Sequence, residues 1–114
     1  MNTMKYVNLS PMDVFFTQDA ISFRFKNGRW IESLVVDLAS GLQCIEHIPP
    51  IKVYYHNQSG VWKSLDNRRL YVFRRLCQMG YFDQIRCQDL TFWKDSDRAA
   101  EREVARGLIS HVKI

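Results

Sequence analysis

Residues 49–80 constrain the fold of this chain more than any other stretch. Pro49-Pro50 enforces extended backbone. Ile51 to Tyr55 then reads as a strand, rich in β-branched and aromatic residues. Asn57-Gln58-Ser59-Gly60 turns the chain, and Val61 to Leu65 returns, so a hairpin is expected. The period then switches from two to that of a helix, predicted over 67–79. Leu70, Phe73 and Cys77 share one face of it, and Arg68, Tyr71 and Arg75 share the other. Asp66 is placed to cap this helix, with Ser64 as a competing cap, and Gly80 ends it.

The flanking sequence supplies the remaining layers. Residues 6–16 read as an extended start broken by Pro11, followed by a polar loop at Thr17-Gln18-Asp19. Ile21 to Phe25 alternates as a strand, and Asn27-Gly28 signals a turn. Over 30–40, Trp30, Leu34 and Leu38, with Ile31 and Val35, form one helical stripe. Gly41 is the expected C-cap. Trp30, Phe73 and Phe82 read as core; Tyr54, Tyr55, Tyr71 and Trp93 read as candidates for partial exposure. Ile85 to Gln88 reads as a further strand. Asp95-Ser96-Asp97 opens a predicted helix running to about Arg106, and the tail 108–114 is apolar enough to pack back. With 114 residues, the expectation is one α+β domain spanning 1–114, with a mixed sheet and flanking helices.

Charge narrows the functional classes. Residues 1–57 hold five cations and five acids, whereas residues 60–86 hold six cations and two acids. The excess therefore sits in one short segment, which favours a polyanionic partner over a diffuse electrostatic role. Within it, Lys63, Arg68, Arg69, Arg74 and Arg75 are interleaved with Trp62, Tyr71, Phe73 and Tyr81. Arg68 and Arg69 fall in the first helical turn, where their charge opposes the helix dipole. An anion bound there would relieve that repulsion. The competing reading is that Asp66 neutralises one arginine and the others are solvated. Arg98, Arg102 and Arg106 form a second cationic ladder, for which pairing with Asp95, Asp97, Glu101 or Glu103 is the stronger reading.

Other chemistries find little footing. Cys44 and His47 have a ligand-like spacing, but no second ligand pair follows, so no metal is expected. His47, His56 and His111 lie in different elements, and no nucleophile–base arrangement or glycine-rich phosphate loop occurs, so no catalytic residue is expected. No apolar run approaches the roughly 20 residues that span a bilayer. The first residues lack a signal-peptide core, and three widely spaced cysteines do not make a disulfide framework. A cytoplasmic monomer with no membrane partner is the expectation.

Four blocks occur in order: Phe16-Thr-Gln-Asp-Ala-Ile21, Phe25-Lys-Asn-Gly-Arg29, Ile48-Pro-Pro-Ile-Lys-Val53 and Ser64-Leu-Asp-Asn-Arg-Arg-Leu70. This series resembles the small domains of the ParB/sulfiredoxin-like superfamily. The resemblance implies a compact α+β fold whose polar helix start binds phosphates. By that analogy Asp66, Asn67, Arg68 and Arg69 would form the pocket, with Gln18 nearby. Asn67 stands where sulfiredoxins carry a catalytic cysteine, which speaks against sulfinic-acid reduction. The acid before the arginines is shifted to Asp66, which speaks against CTP hydrolysis.

More narrowly, the chain resembles the microsporidian dormancy factors, small ribosome-bound proteins that occupy the tRNA exit (E) site of idle ribosomes. That resemblance implies a hibernation factor without a cofactor, partnered by rRNA and ribosomal proteins near the exit site. It would inhibit translation by excluding tRNA. Lys63, Arg68, Arg69, Arg74 and Arg75 would meet rRNA phosphates, with Arg98, Arg102 and Arg106 as a second contact line. The alternatives are a nucleotide-binding enzyme (NTP hydrolase, transferase or nuclease) with the nucleotide at the Asp66–Arg69 turn, or an interaction module for an acidic protein.

Overall fold

The computed structural model describes residues 4–91 and the backbone of 111–113. The predicted 95–106 helix, its arginine ladder and Trp93 lie outside the described residues. Among the described residues, seven strands and two helices follow in the order β1 (Lys5–Leu9), β2 (Val14–Phe15), β3 (Ala20–Ser22), α1 (Ile31–Ser40), β4 (Ile51–His56), β5 (Val61–Ser64), α2 (Asn67–Gln78), β6 (Ile85–Asp89) and β7 (His111–Lys113). Short 3-10 turns at Pro11–Asp13 and Ile45–His47 complete the description. The domain is α+β, and its main sheet is mixed. Its strand order is β1-β6-β4-β5-β2, antiparallel at β1/β6 and β4/β5 and parallel at β6/β4 and β5/β2. A separate antiparallel pair joins β3 to β7, so the end of the chain does return onto its first half.

α2 lies between two apolar clusters, which explains its composition. Leu70 and Phe73 pack with Val14, Ile51, Val53 and Cys87 of the sheet. Val72 and Leu76 pack with Ile21 and with Ile31, Leu34, Val35 and Leu38 of α1. A helix buried on two sides needs apolar residues on both, and its charged side chains must leave through the gaps between layers. The predicted single apolar face was thus too narrow: Val72 and Leu76 are buried, while Cys77 is only half-buried.

Local chemistry sets the element ends. Gly41 terminates α1 in the left-handed conformation at φ 82°, which a side chain would strain. Asp66 occupies the N-cap position of α2, but its side chain makes no cap bond; Ser64 Oγ instead accepts from the Asp66 N–H at 2.9 Å. No helix among the described residues is long and apolar enough to cross a membrane.

Cys87 gives a pH-dependent signature of this core. It is fully buried, and burial pushes its thiol up to about 12 from an ordinary 9.0. The neutral thiol therefore stabilises the fold fully below pH 9, and that contribution is lost as pH rises from 9 towards 12. Urea titrations above pH 9 should show a steeper loss of stability in the wild type than in Cys87→Ala. Equal slopes would contradict a buried thiol.

Candidate nucleic-acid interface

The arginines of α2 radiate from the central helix to four different parts of the chain. Arg68 Nη1 donates to the Arg24 carbonyl at 2.9 Å. Arg69 Nη1 donates to the Pro49 carbonyl at 2.9 Å, and its Nη2 pairs with Asp66 Oδ2 at 2.9 Å. Arg74 Nε donates to the Pro11 carbonyl at 3.0 Å, its Nη2 donates to the Val14 carbonyl, and its guanidinium lies 4.6 Å from the Phe16 ring centroid. Arg75 Nη1 pairs with Glu32 Oε1 of α1 at 2.6 Å and donates to the Tyr71 hydroxyl at 3.2 Å.

The four α2 arginines expected to meet rRNA phosphates all have partners within the fold. Arg74 points into the structure, where burial alone lowers its pKa from the usual arginine value. Arg75 is engaged with α1; its bond to the Tyr71 hydroxyl, more than the nearby Glu32 charge, holds its pKa above the usual range. Arg69 and Asp66 neutralise each other, and Asp66 Oδ2 also accepts from the Lys52 N–H at 2.6 Å. Lys63 is separated from the group altogether. Its register partners Tyr54 and Phe15 place it on the sheet face opposite Val53 and Ser64, whereas α2 packs on the Val53 side.

Asn67 and the loop that carries Gln18 are brought together. Asn67 is 5% exposed; its Oδ1 accepts from Thr17 N at 3.0 Å, and its Nδ2 donates to Thr17 Oγ1 at 2.8 Å. Thr17 Oγ1 in turn donates to the Ser64 carbonyl at 2.9 Å. The loop carrying Gln18 is thereby held against the start of α2. Asn67 itself has both ends of its amide engaged internally, so its role in this geometry is to hold a loop.

Arg68 differs from its neighbours. Among the described residues no carboxylate pairs with it, and its one bond ties it to the backbone of the 23–30 turn. That turn is built locally. Arg24 and Trp30 form a bridge, Phe25 N donates to the Arg29 carbonyl at 2.8 Å, and Gly28 provides the positive φ of 88°. Ile31 N donates to the Phe23 carbonyl at 2.9 Å, fixing the turn to the start of α1. The Arg24 guanidinium sits 4.2 Å from the Trp30 ring centroid, and the Phe23 and Trp30 rings are 6.3 Å apart and tilted by 49°.

Trp30 therefore departs from its expected place in the core: it is 49% exposed, as Phe23 is at 45%. It precedes the first helical residue with extended backbone, φ −67° and ψ 135°, so the helical stripe does not carry it inward. The signal that could have found this turn is compositional. Residues 20–31 hold Arg24, Lys26 and Arg29 among Phe23, Phe25 and Trp30, with no carboxylate. The other aromatic expectations divide. Tyr54 is buried, Tyr55 lies at the edge of exposure and meets Trp62 edge-on at 5.3 Å, and half-buried Tyr71 donates to Glu32 Oε1 at 3.1 Å. Phe82 is only partly buried, packed against both clusters.

Cys44 and His47 form no metal cluster; no group of three metal-ligating side chains occurs among the described residues. Cys44 Sγ instead donates to the Glu46 carboxylate, a bond that raises the thiol's pKa. No family model, curated protein or solved structure matches the chain.

Proposed function

We propose that this protein is a ribosome-associated dormancy factor that grips rRNA at the tRNA exit site and keeps idle ribosomes inactive by excluding tRNA. The four ordered sequence blocks support the class. The observation that carries the RNA-binding part is Arg68: a guanidinium in the first turn of α2, matched by no described carboxylate and bonded beside the exposed cations Arg24 and Lys26. A helix start with unmatched positive charge favours a phosphate, and here the helix dipole and the side chains act in the same sense. Lys63 and Lys52, on the opposite face of the sheet from α2, offer a second basic surface. Arg74 is not part of the proposed contact set. The reading of the Asp66–Arg69 turn as a nucleotide site draws less support, because those two side chains already satisfy each other.

The chemistry required is steric and electrostatic, with no bond made or broken. Binding should therefore depend steeply on salt. With about three phosphate contacts, association falls by about twentyfold for a roughly fourfold rise in salt. Co-sedimentation with idle ribosomes across a salt series measures this. Arg68→Ala should weaken binding and flatten the salt dependence by about one phosphate contact. Ribosome binding that is indifferent to salt and to Arg68→Ala would refute the proposal.

A further inference from the structure

We infer that the exposed Phe23–Arg24–Trp30 turn, bordered by Lys26 and Arg68, is a stacking platform for an unpaired base of single-stranded RNA. This deepens the RNA-binding reading above and rests on it. Two large aromatic rings, each nearly half exposed, stand next to each other and belong to neither apolar cluster among the described residues. The fold therefore does not require them for its core. Their geometry is held by backbone bonds on both sides, Phe25 to Arg29 and Ile31 to Phe23, and by Arg68 on the Arg24 carbonyl. A preorganised ring surface loses little entropy on binding.

The surrounding charge selects the ligand. The nearby carboxylates are already engaged, Asp37 by Arg29 and Glu32 by Arg75. Arg24, Lys26 and Arg68 keep their charge without a described carboxylate partner. Exposed π surface interleaved with uncompensated guanidinium is how proteins hold single strands: every base has a π face, and every linkage has a phosphate. A duplex would present phosphates, 2′-hydroxyls and base edges to this turn but no free base face, and would leave the rings without a stacking partner.

The test compares a short single-stranded oligoribonucleotide of mixed sequence with the same oligomer carrying abasic sugars, titrated into the 114-residue chain. The intact strand should bind about tenfold more tightly, as one stacked base provides. Trp30→Ala should bring the intact strand down to the abasic affinity and leave abasic binding unchanged. Trp30→Phe should retain most of the difference, which shows that the fold tolerates change at this position. Arg68→Ala should weaken both strands alike. Equal binding of intact and abasic strands would overturn the platform while leaving phosphate binding in place. Binding of neither strand would overturn the platform together with the RNA-binding reading on which it rests. A preference for an acidic peptide over both strands would assign the turn to a protein partner and equally overturn it.

Discussion

Arg74→Ala is expected to lower the unfolding free energy by roughly 3 kcal/mol while leaving RNA affinity of the folded protein unchanged. The guanidinium fork donates to the carbonyls of Pro11 and Val14, 63 and 60 residues away in sequence, and covers the Phe16 ring. It fastens the turn before β2, an edge strand, to the central helix. Hydrogen bonds from charged donors contribute about 1.5–3 kcal/mol each, and the lower part of that range applies because Arg74 is only half-buried. Arg74→Lys should recover part of the loss, since an ammonium replaces the charge but not the fork. Urea denaturation reads the result as a lower midpoint at constant slope. If stability were unchanged and RNA binding fell instead, Arg74 would be a phosphate ligand and the inward geometry would be wrong.

Asn67→Ala should cost about 2–3 kcal/mol, by the loss of two internal hydrogen bonds and the exposure of an unpaired Thr17 N–H in a nearly closed site. Asn67→Asp keeps the size and the acceptor for Thr17 N–H, yet it is not expected to rescue. Thr17 Oγ1 already gives its proton to the Ser64 carbonyl, so a carboxylate oxygen would face another acceptor. Hydrogen exchange at Thr17 provides a local readout beside global denaturation. Faster exchange there in both variants, with RNA binding reduced only in proportion to the folded fraction, fits a loop-holding role. A large drop in binding at full stability would instead make Asn67 a ligand-contacting residue.

Much of the secondary structure was readable locally. The Asn57–Gly60 turn between two β-rich runs defines the β4–β5 hairpin, and the 3.6-residue period with Gly41 defines α1. Both depend on neighbours in sequence, so sequence alone carries them. The site was less legible. The basic segment looked like a cluster because its cations are close in sequence. Strand alternation sent Lys63 to the far side of the sheet, and the two-sided burial of α2 sent each arginine through a different gap. The side-chain partners of Arg68, Arg69, Arg74 and Arg75 that set this geometry lie 20 or more residues away, apart from the local bonds to Asp66 and Tyr71. Most are backbone carbonyls, which every residue type has and no pattern announces.

Trp30 makes the same point in reverse. Its spacing with Leu34 and Leu38 fits a helical stripe, but helical spacing positions a side chain only where the backbone is already helical. One residue before the helix begins, the indole turned outward and met Arg24 across a turn. The sequence by itself determined the β4–β5 hairpin, the bodies of α1 and α2, and that positive charge gathers around residues 60–86. Tertiary structure alone decided which of those charges are neutralised and which stay unmatched. Local backbone preference is a property of adjacent residues, whereas the pairing of a charge depends on what the folded chain brings beside it.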